Sequence, residues 1–381
     1  MADLTADYVR LRDQARDLAM SLADVAAAAD EAEAPHPQVR AALRSSGLCE
    51  LTVPAAYGGR SAAVDALAVT VVRESLMQVS AHLDSLFAMQ GIGSFALAVG
   101  GCDELRKRWL PAVASLRSLA ALALTEDEAG SDLRQVRTSV EQSGETLRVT
   151  GAKSFISNAG YADFYCVLAR EGEAWSMVLV PADAPGLTVT PSPAIVAPHV
   201  LGDLVLDGVQ VPASHRLGAP GKGFSLVFAT LGTFRVTVAG AAVGLAQSAL
   251  DEAVRHARRR EQFGHPLIEI GAVGQLLARS WTDIEMIRAF VYHAAAKAAQ
   301  DPRANLDLSS MAKVAATETA AAVVDRCVQV MGRAGIIRGS AIERLYRAAR
   351  PMRIYEGGTE VVLDSLARQL ARRAETTRAT G

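Results

Sequence analysis

Helical periodicity at both ends of the chain, short β-type runs between them and abundant alanine predict a mainly α fold with a β domain in its middle. With 381 residues the chain is too long for one small core, so two or three lobes are expected. Half of the residues are hydrophobic and only 5% are aromatic, which favours helices.

In residues 4–29, Leu11, Ala15, Leu18 and Leu22 recur at helical spacing and predict one long amphipathic helix. Pro35 and Pro37 end it, and a short second helix runs to Gly47 as its C-cap. A turn-rich loop, LTVPAAYGG at 51–59, leads to helical patterns at 63–80, 84–99 and 103–115, the last with Asp103 as N-cap. Residues 1–117 therefore read as an N-terminal helical domain.

In 118–219 the β-type runs are Leu147 with Val149, Phe155-Ile156, then 164–169, 176–180, 187–189 and 204–211. Gly, Pro, Asn and Asp clusters separate them with no helix between, which suggests a compact antiparallel barrel or sandwich. After Gly221-Lys222-Gly223 long helices return at 223–259, 268–299, 306–334, 340–349 and 359–375. The first two have the length and apolar stripe of bundle members, making 220–381 a C-terminal helical bundle domain.

A formal charge of −2 argues against nucleic-acid binding or a membrane-surface role. Four scattered cysteines without a CxxC pair fit reduced, packed thiols in a cytoplasm. Asp3, Asp7 and Asp13 stand where a signal peptide would be basic, and the apolar run 236–250 is too short for a membrane span. A cytoplasmic protein is expected.

No HExxH, GxSxG or GxxxxGK[ST] is present, and the seven histidines show no ligand spacing, so no metal site is expected. Gly91-Ile92-Gly93-Ser94-Phe95-Ala96 imitates a dinucleotide fingerprint but sits in a helical pattern, which assigns it to helix packing. More informative is RIYEGGTE at 353–360. Val361, Leu363 (or Val362), Leu366 and Leu370 follow at helical period, Thr359 is a natural N-cap, and Glu356 lies just outside the helix N-terminus, where backbone N–H groups favour negative charge. Alone, this stretch reads more readily as a glycine-rich connector with a surface Glu. Upstream, LTEDEAGSD (124–132) joins the first lobe to the β lobe, and KSFISNAG (153–160) puts an aromatic and a hydroxyl on alternate positions of a strand edge. RRREQFG (258–264) ends a long helix with a basic cluster, which either complements the helix dipole or clamps phosphate.

These stretches, together with GVQVPASHRLGAPGKGF, QVMGRAG and the helix ending in RRREQFGHPL, resemble the acyl-CoA dehydrogenase family over nearly the whole chain. Each motif is weak alone; the ordered set is specific. The resemblance implies an N-terminal helical domain, a small antiparallel β barrel and a C-terminal four-helix bundle, with FAD between the β domain and the bundle. It implies that Leu124, Thr125 and Ser131 line the flavin and acyl site, and that Phe155 and Ser157 contact the isoalloxazine ring. Arg260, Gln262 and Phe263, with Gln329 and Gly332, would hold the far end of a neighbouring subunit's FAD, and Thr359 and Glu360 would cap the cofactor. Glu356 matches the catalytic base. Some members place that Glu immediately before Arg235, where this chain has Phe234. Arg235 would keep Glu356 ionised, and Ser131, Arg235, Tyr355 and Gly357 would border the substrate.

The implied reaction is dehydrogenation of an acyl thioester, with an electron-transfer flavoprotein as acceptor and a homodimer or homotetramer as the assembly. An oxidase or monooxygenase on the same scaffold, or a non-catalytic carrier-protein binding module, are the alternatives. The chain departs from the family pattern at Asp127, Gly358 and Arg333. Residues 229–234 lack the acidic side chain that usually binds pantetheine, and 198–203 lacks the common Arg-x-Ser. These departures raise a carrier protein, in place of CoA, as the thioester carrier.

Overall fold

The computed structural model describes residues 4–379. Six helices make the N-terminal lobe: α1 (Ala6–Ser21), α2 (Ala23–Asp30), α3 (Pro37–Ser46), α4 (Ala66–Met77), α5 (Ala81–Gly100) and α6 (Asp103–Ala114). The single helix expected over 4–29 is broken at Leu22, whose φ of −107° and ψ of 5° leave the helical region. Asp65 caps α4 by accepting from Leu67 and Ala68 N–H, and Ser80 caps α5 by accepting from Leu83 N–H. Asp103 does not cap α6. Cys102 holds that position without a side-chain bond, and Asp103 sits in the first turn, 3.4 Å from Arg106.

The middle lobe holds β1 (Ala120–Ala123), β2 (Ser139–Ser143), β3 (Thr146–Ser157), β4 (Phe164–Glu171), β5 (Ala174–Pro181), β6 (Leu187–Pro191), β7 (Leu201–Pro212) and β8 (Arg216–Leu217). They pair in the order β6-β7-β3-β2-β4-β5-β8. The long ladders are antiparallel, but β1 joins β4 in parallel register and β2 meets β4 in parallel at Ser139 and Arg170. Alanine-rich β1 has no alternation, so it left no β signal in the sequence. Strand β4 is apolar without alternation because both faces are covered. Phe164, Cys166 and Leu168 pack with residues of α5, α6 and the C-terminal lobe, while Tyr165, Val167 and Ala169 face the interior with β3, β5 and β7.

The C-terminal lobe comprises α7 (Gly223–Arg259), a hairpin of β9 (Glu261–Gln262) and β10 (His265–Pro266), α8 (Gly271–Gln300), α9 (Leu306–Met331), α10 (Ala341–Met352) and α11 (Thr359–Ala379). Helix α4 lies directly on α7: a Cβ at Gly244 would come within 2.1 Å of the Glu74 carbonyl oxygen. The dinucleotide look-alike is part of α5, and a Cβ at Gly91 would strike the Phe234 ring at 2.3 Å, which bears out helix packing. Helices α5 and α7 are long and apolar enough to cross a membrane by length and composition, yet 61% and 83% of their most apolar windows are buried in the protein. At α11, Thr359 is already helical. Its hydroxyl donates to Glu318 at 2.7 Å instead of capping, and Gly358 O accepts from Val362 N at 3.0 Å. Of the expected apolar stripe Val362 is buried, whereas Leu363 and Leu370 are 48% and 69% exposed.

Candidate active site

The segment between α10 and α11 carries two consecutive residues in the left-handed region, Glu356 at φ 52° and Gly357 at φ 101°. Gly357 must be glycine on two counts, because a Cβ would also meet Val362 at 2.9 Å and Arg235 Nη2 at 3.2 Å. A non-glycine residue held at positive φ costs on the order of 1–3 kcal/mol, so the surroundings must over-determine the turn. They do. Arg235 of α7 donates through Nε to Glu356 O at 3.0 Å and through Nη1 to Ser310 Oγ at 3.0 Å. Lys313 of α9 donates to Gly357 O at 2.6 Å. Glu318, further along the same helix, accepts from Arg353 Nε at 2.8 Å and from Thr359 Oγ1. The loop is therefore fixed by its main chain and flanks, which leaves the Glu356 carboxylate unencumbered. Its Oε2 is buried with no hydrogen-bond partner among the described residues.

Burial raises the Glu356 carboxyl above the usual range; Arg73, then Arg235 and Lys313, oppose that rise, and Asp84 adds to it. Arg235 is the second of the charges that oppose the rise. Burial wins, and Arg73 is the strongest opposing charge. Arg73 of α4 is itself buried, paired through Nε and Nη2 with Asp84 of α5 at 2.9 and 2.7 Å and bonded to Thr237 Oγ1 at 2.9 Å. Lys313, fully buried, is pushed down to about 8, by burial first. Sequence reasoning missed Arg73, Asp84 and Lys313. Their signal was available: each is a charge placed within an otherwise apolar helical pattern. Tyr355 is 40% exposed, and Glu356 and His199 are half-buried.

A second group collects at the end of β3. Ser154 N donates to Thr125 O at 3.0 Å, and buried Lys153 donates to Leu124 O and to Glu126 Oε1, both at 2.9 Å. These bonds tie the 124–126 segment to Phe155 and Ser157. A register shift between Lys153 and Ile156, with Phe155 at φ 55°, turns the Phe155 ring outward to 47% exposure. Ser131 and Glu360 are exposed. Arg260, Gln262 and Phe263 lie at the far end of α7 and its hairpin, where Phe263 is 93% exposed. At about 1.5 Å per helical residue they stand roughly 37 Å along α7 from Arg235, and Gln329 roughly 24 Å along α9 from Lys313. One chain does not bring these residues to Glu356.

The candidate site thus comprises the partnerless Glu356 Oε2 on its clamped turn and, at the end of β3, the exposed Phe155 ring beside the Ser157 hydroxyl. Profiles of the acyl-CoA dehydrogenase N-terminal, middle and C-terminal domains match residues 5–117, 121–209 and 221–371. The chain belongs to the acyl-CoA dehydrogenase family and is an oxidoreductase. It is similar to cyclohexane-1-carbonyl-CoA dehydrogenase of Geobacter metallireducens, 34% identical over 359 residues, covering 93% of this chain and 94% of that protein. Among solved structures it is similar to butyryl-CoA dehydrogenase from Megasphaera elsdenii, with a TM-score of 0.92, 28% identity, and 97% of this chain and 100% of that one covered. The prolyl acyl carrier protein oxidase AnaB shares the fold, with a TM-score of 0.88 at 22% identity over 97% of this chain and 100% of that one.

Proposed function

We propose that this protein is an FAD-dependent α,β-dehydrogenase of an acyl thioester, with Glu356 as the base that removes the α-proton. The observation that carries this reading is the unpartnered Glu356 Oε2, because the donors around the turn are spent on the Glu356 and Gly357 carbonyls, Ser310 and Glu318. FAD fits the remaining features: the outward Phe155 ring, the Ser157 hydroxyl, and the open space around Gly332 and Gly358, where an added Cβ would meet nothing within 4 Å. Held there, FAD would supply the acceptor for the hydride from the substrate's Cβ. Glu356 takes the α-proton into a carboxylate whose raised pKa matches it to a weak carbon acid. Arg235 and Lys313 orient the turn and offset the charge on the base. Ser157, Leu124 and Thr125 position the cofactor side of the site.

The thioester carrier is a separate question, because CoA and a carrier protein present the same pantetheine arm. In the turn before Arg235, Thr230 and Thr233 hydroxyls bond back to the Leu226 and Ala229 carbonyls and Phe234 is buried, so this segment offers no polar side chain to pantetheine. Phe263, Trp281, Met286 and Ile336 are 62–93% exposed in the single chain, which supports a homo-oligomer with a cofactor shared between subunits. Anaerobic loss of the flavin's visible absorbance tests the reading, with one short acyl group offered on CoA and on a phosphopantetheinylated carrier protein. Bleaching by either supports the dehydrogenase, and the better substrate names the carrier. Bleaching by neither, with FAD bound, refutes it.

Lys313→Met tests the clamp. Gly357 O loses its donor and Glu356 loses an opposing charge, so its carboxyl rises further. Because the proposed base works deprotonated, flavin reduction should fall at neutral pH and recover as pH increases. A pH-independent loss would assign Lys313 a purely structural role.

A further inference from the structure

The Ser157 hydroxyl, placed against the flavin in the reading above, lies 2.9 Å from His199 Nε2. His199 occupies the 198–203 segment already marked as departing from the family pattern, and this segment is pinned to the end of β3 by Asn158 N donating to Val200 O at 2.9 Å. His82, in the first turn of α5, is near enough that a charge on His199 would disfavour its own. His82 is fixed in place. Its Nε2 accepts from His36 N at 3.0 Å, so its own proton sits on Nδ1, and its backbone N–H donates to Asp30 Oδ1 at 3.1 Å.

The charged groups around this pair come from several elements. His82 comes from α5, Asp30 from the end of α2, His36 from the turn before α3 and Arg344, which acts on Asp30, from α10. On the β side Asp203 accepts from Phe155 N at 2.9 Å and from Ser192, and β3 offers Ser157. Burial pushes both His82 and His199 down to about 4, so both are neutral at working pH in the free chain. A neutral imidazole hydrogen-bonded to a flavin-facing hydroxyl is poised to respond to new negative charge.

We propose that His199, through Ser157, is the side chain that takes up a proton when the bound flavin becomes negatively charged on reduction. This rests on the FAD-dehydrogenase reading. The balance is simple. The substrate's Cβ–H bond breaks and delivers two electrons and one hydrogen nucleus to the flavin. The α-proton passes to Glu356, and the flavin has gained one negative charge. Once Glu356 has released the α-proton to solvent and is again a carboxylate, a solvent proton adds to the free nitrogen of His199, and the net charge of the site returns to its starting value.

The readout is the flavin midpoint potential of the full-length, FAD-loaded protein against pH. Each proton taken up with two electrons contributes about 30 mV per pH unit. The wild type is expected to show twice that slope below the coupled His199 pKa and the single slope above it. His199→Gln, which retains a hydrogen bond to Ser157 without titrating, should show the single slope throughout, as should His199→Ser. Equal slopes in wild type and both variants overturn the assignment while leaving the dehydrogenase reading intact. Failure of the wild type to bind FAD overturns both.

Discussion

Glu356→Gln is expected to bind FAD like the wild type and to lose reduction of that FAD by an acyl thioester, by about 10²–10⁴-fold. The two effects separate because the turn is held through its main chain. Arg235 grips the Glu356 carbonyl, Lys313 grips the Gly357 carbonyl, and Glu318 ties Arg353 to Thr359. None of these bonds involves the Glu356 carboxylate, so a glutamine of nearly the same shape leaves the turn in place. What disappears is the proton acceptor. Burial already places the wild-type carboxyl above its ordinary range, so the wild-type rate should climb with pH as the carboxylate forms, and the variant should show no such limb. Anaerobic rapid-mixing measurements of flavin absorbance give both quantities. Reduction by Glu356→Gln at near wild-type rate would remove Glu356 from the mechanism.

The long C-terminal helices were legible because their periodicity is local. α7 was expected over 223–259 and observed as Gly223–Arg259, and α8 and α9 begin within a few residues of expectation. Strand β1 was not, because three alanines and a leucine owe their strand to pairing with β4, more than forty positions away. The break at Leu22 escaped for the converse reason: the apolar spacing continues through it, and only backbone angles mark it. At the site, Glu356 and Arg235 came from the motif resemblance, but their relation did not. Arg235 holds the carbonyl, and the base feels Arg73 more strongly. Arg73, Asp84 and Thr237 meet across up to 164 positions of sequence. No local pattern encodes such a meeting. A charged residue inside an all-buried helix such as α4 is the one-dimensional trace it leaves.

That buried pair should also carry the largest stability effect in the molecule. The side chains of Arg73 and Asp84 are 4% and 3% exposed, and their two hydrogen bonds join α4 to α5, with a third from Arg73 to α7. Asp84→Asn leaves a guanidinium buried without its counter-charge, and Arg73→Met leaves a buried carboxylate; either is expected to cost about 3–5 kcal/mol. The double variant Arg73→Met, Asp84→Leu removes both charges together. It should recover most of that loss, because an apolar pair of similar volume avoids desolvating two ions. Denaturant unfolding of the single and double variants measures the coupling, and additive losses would show that the pair is not a unit. Function should not recover with stability. Glu356 loses Arg73, its strongest opposing charge, and loses with Asp84 only the weakest influence upon it, so its carboxyl rises further. With Glu356 in the proposed role of a deprotonated base, the limb on which flavin reduction increases should move to higher pH in the double variant. A stable double variant with an unmoved limb would confine the pair to holding the helices together.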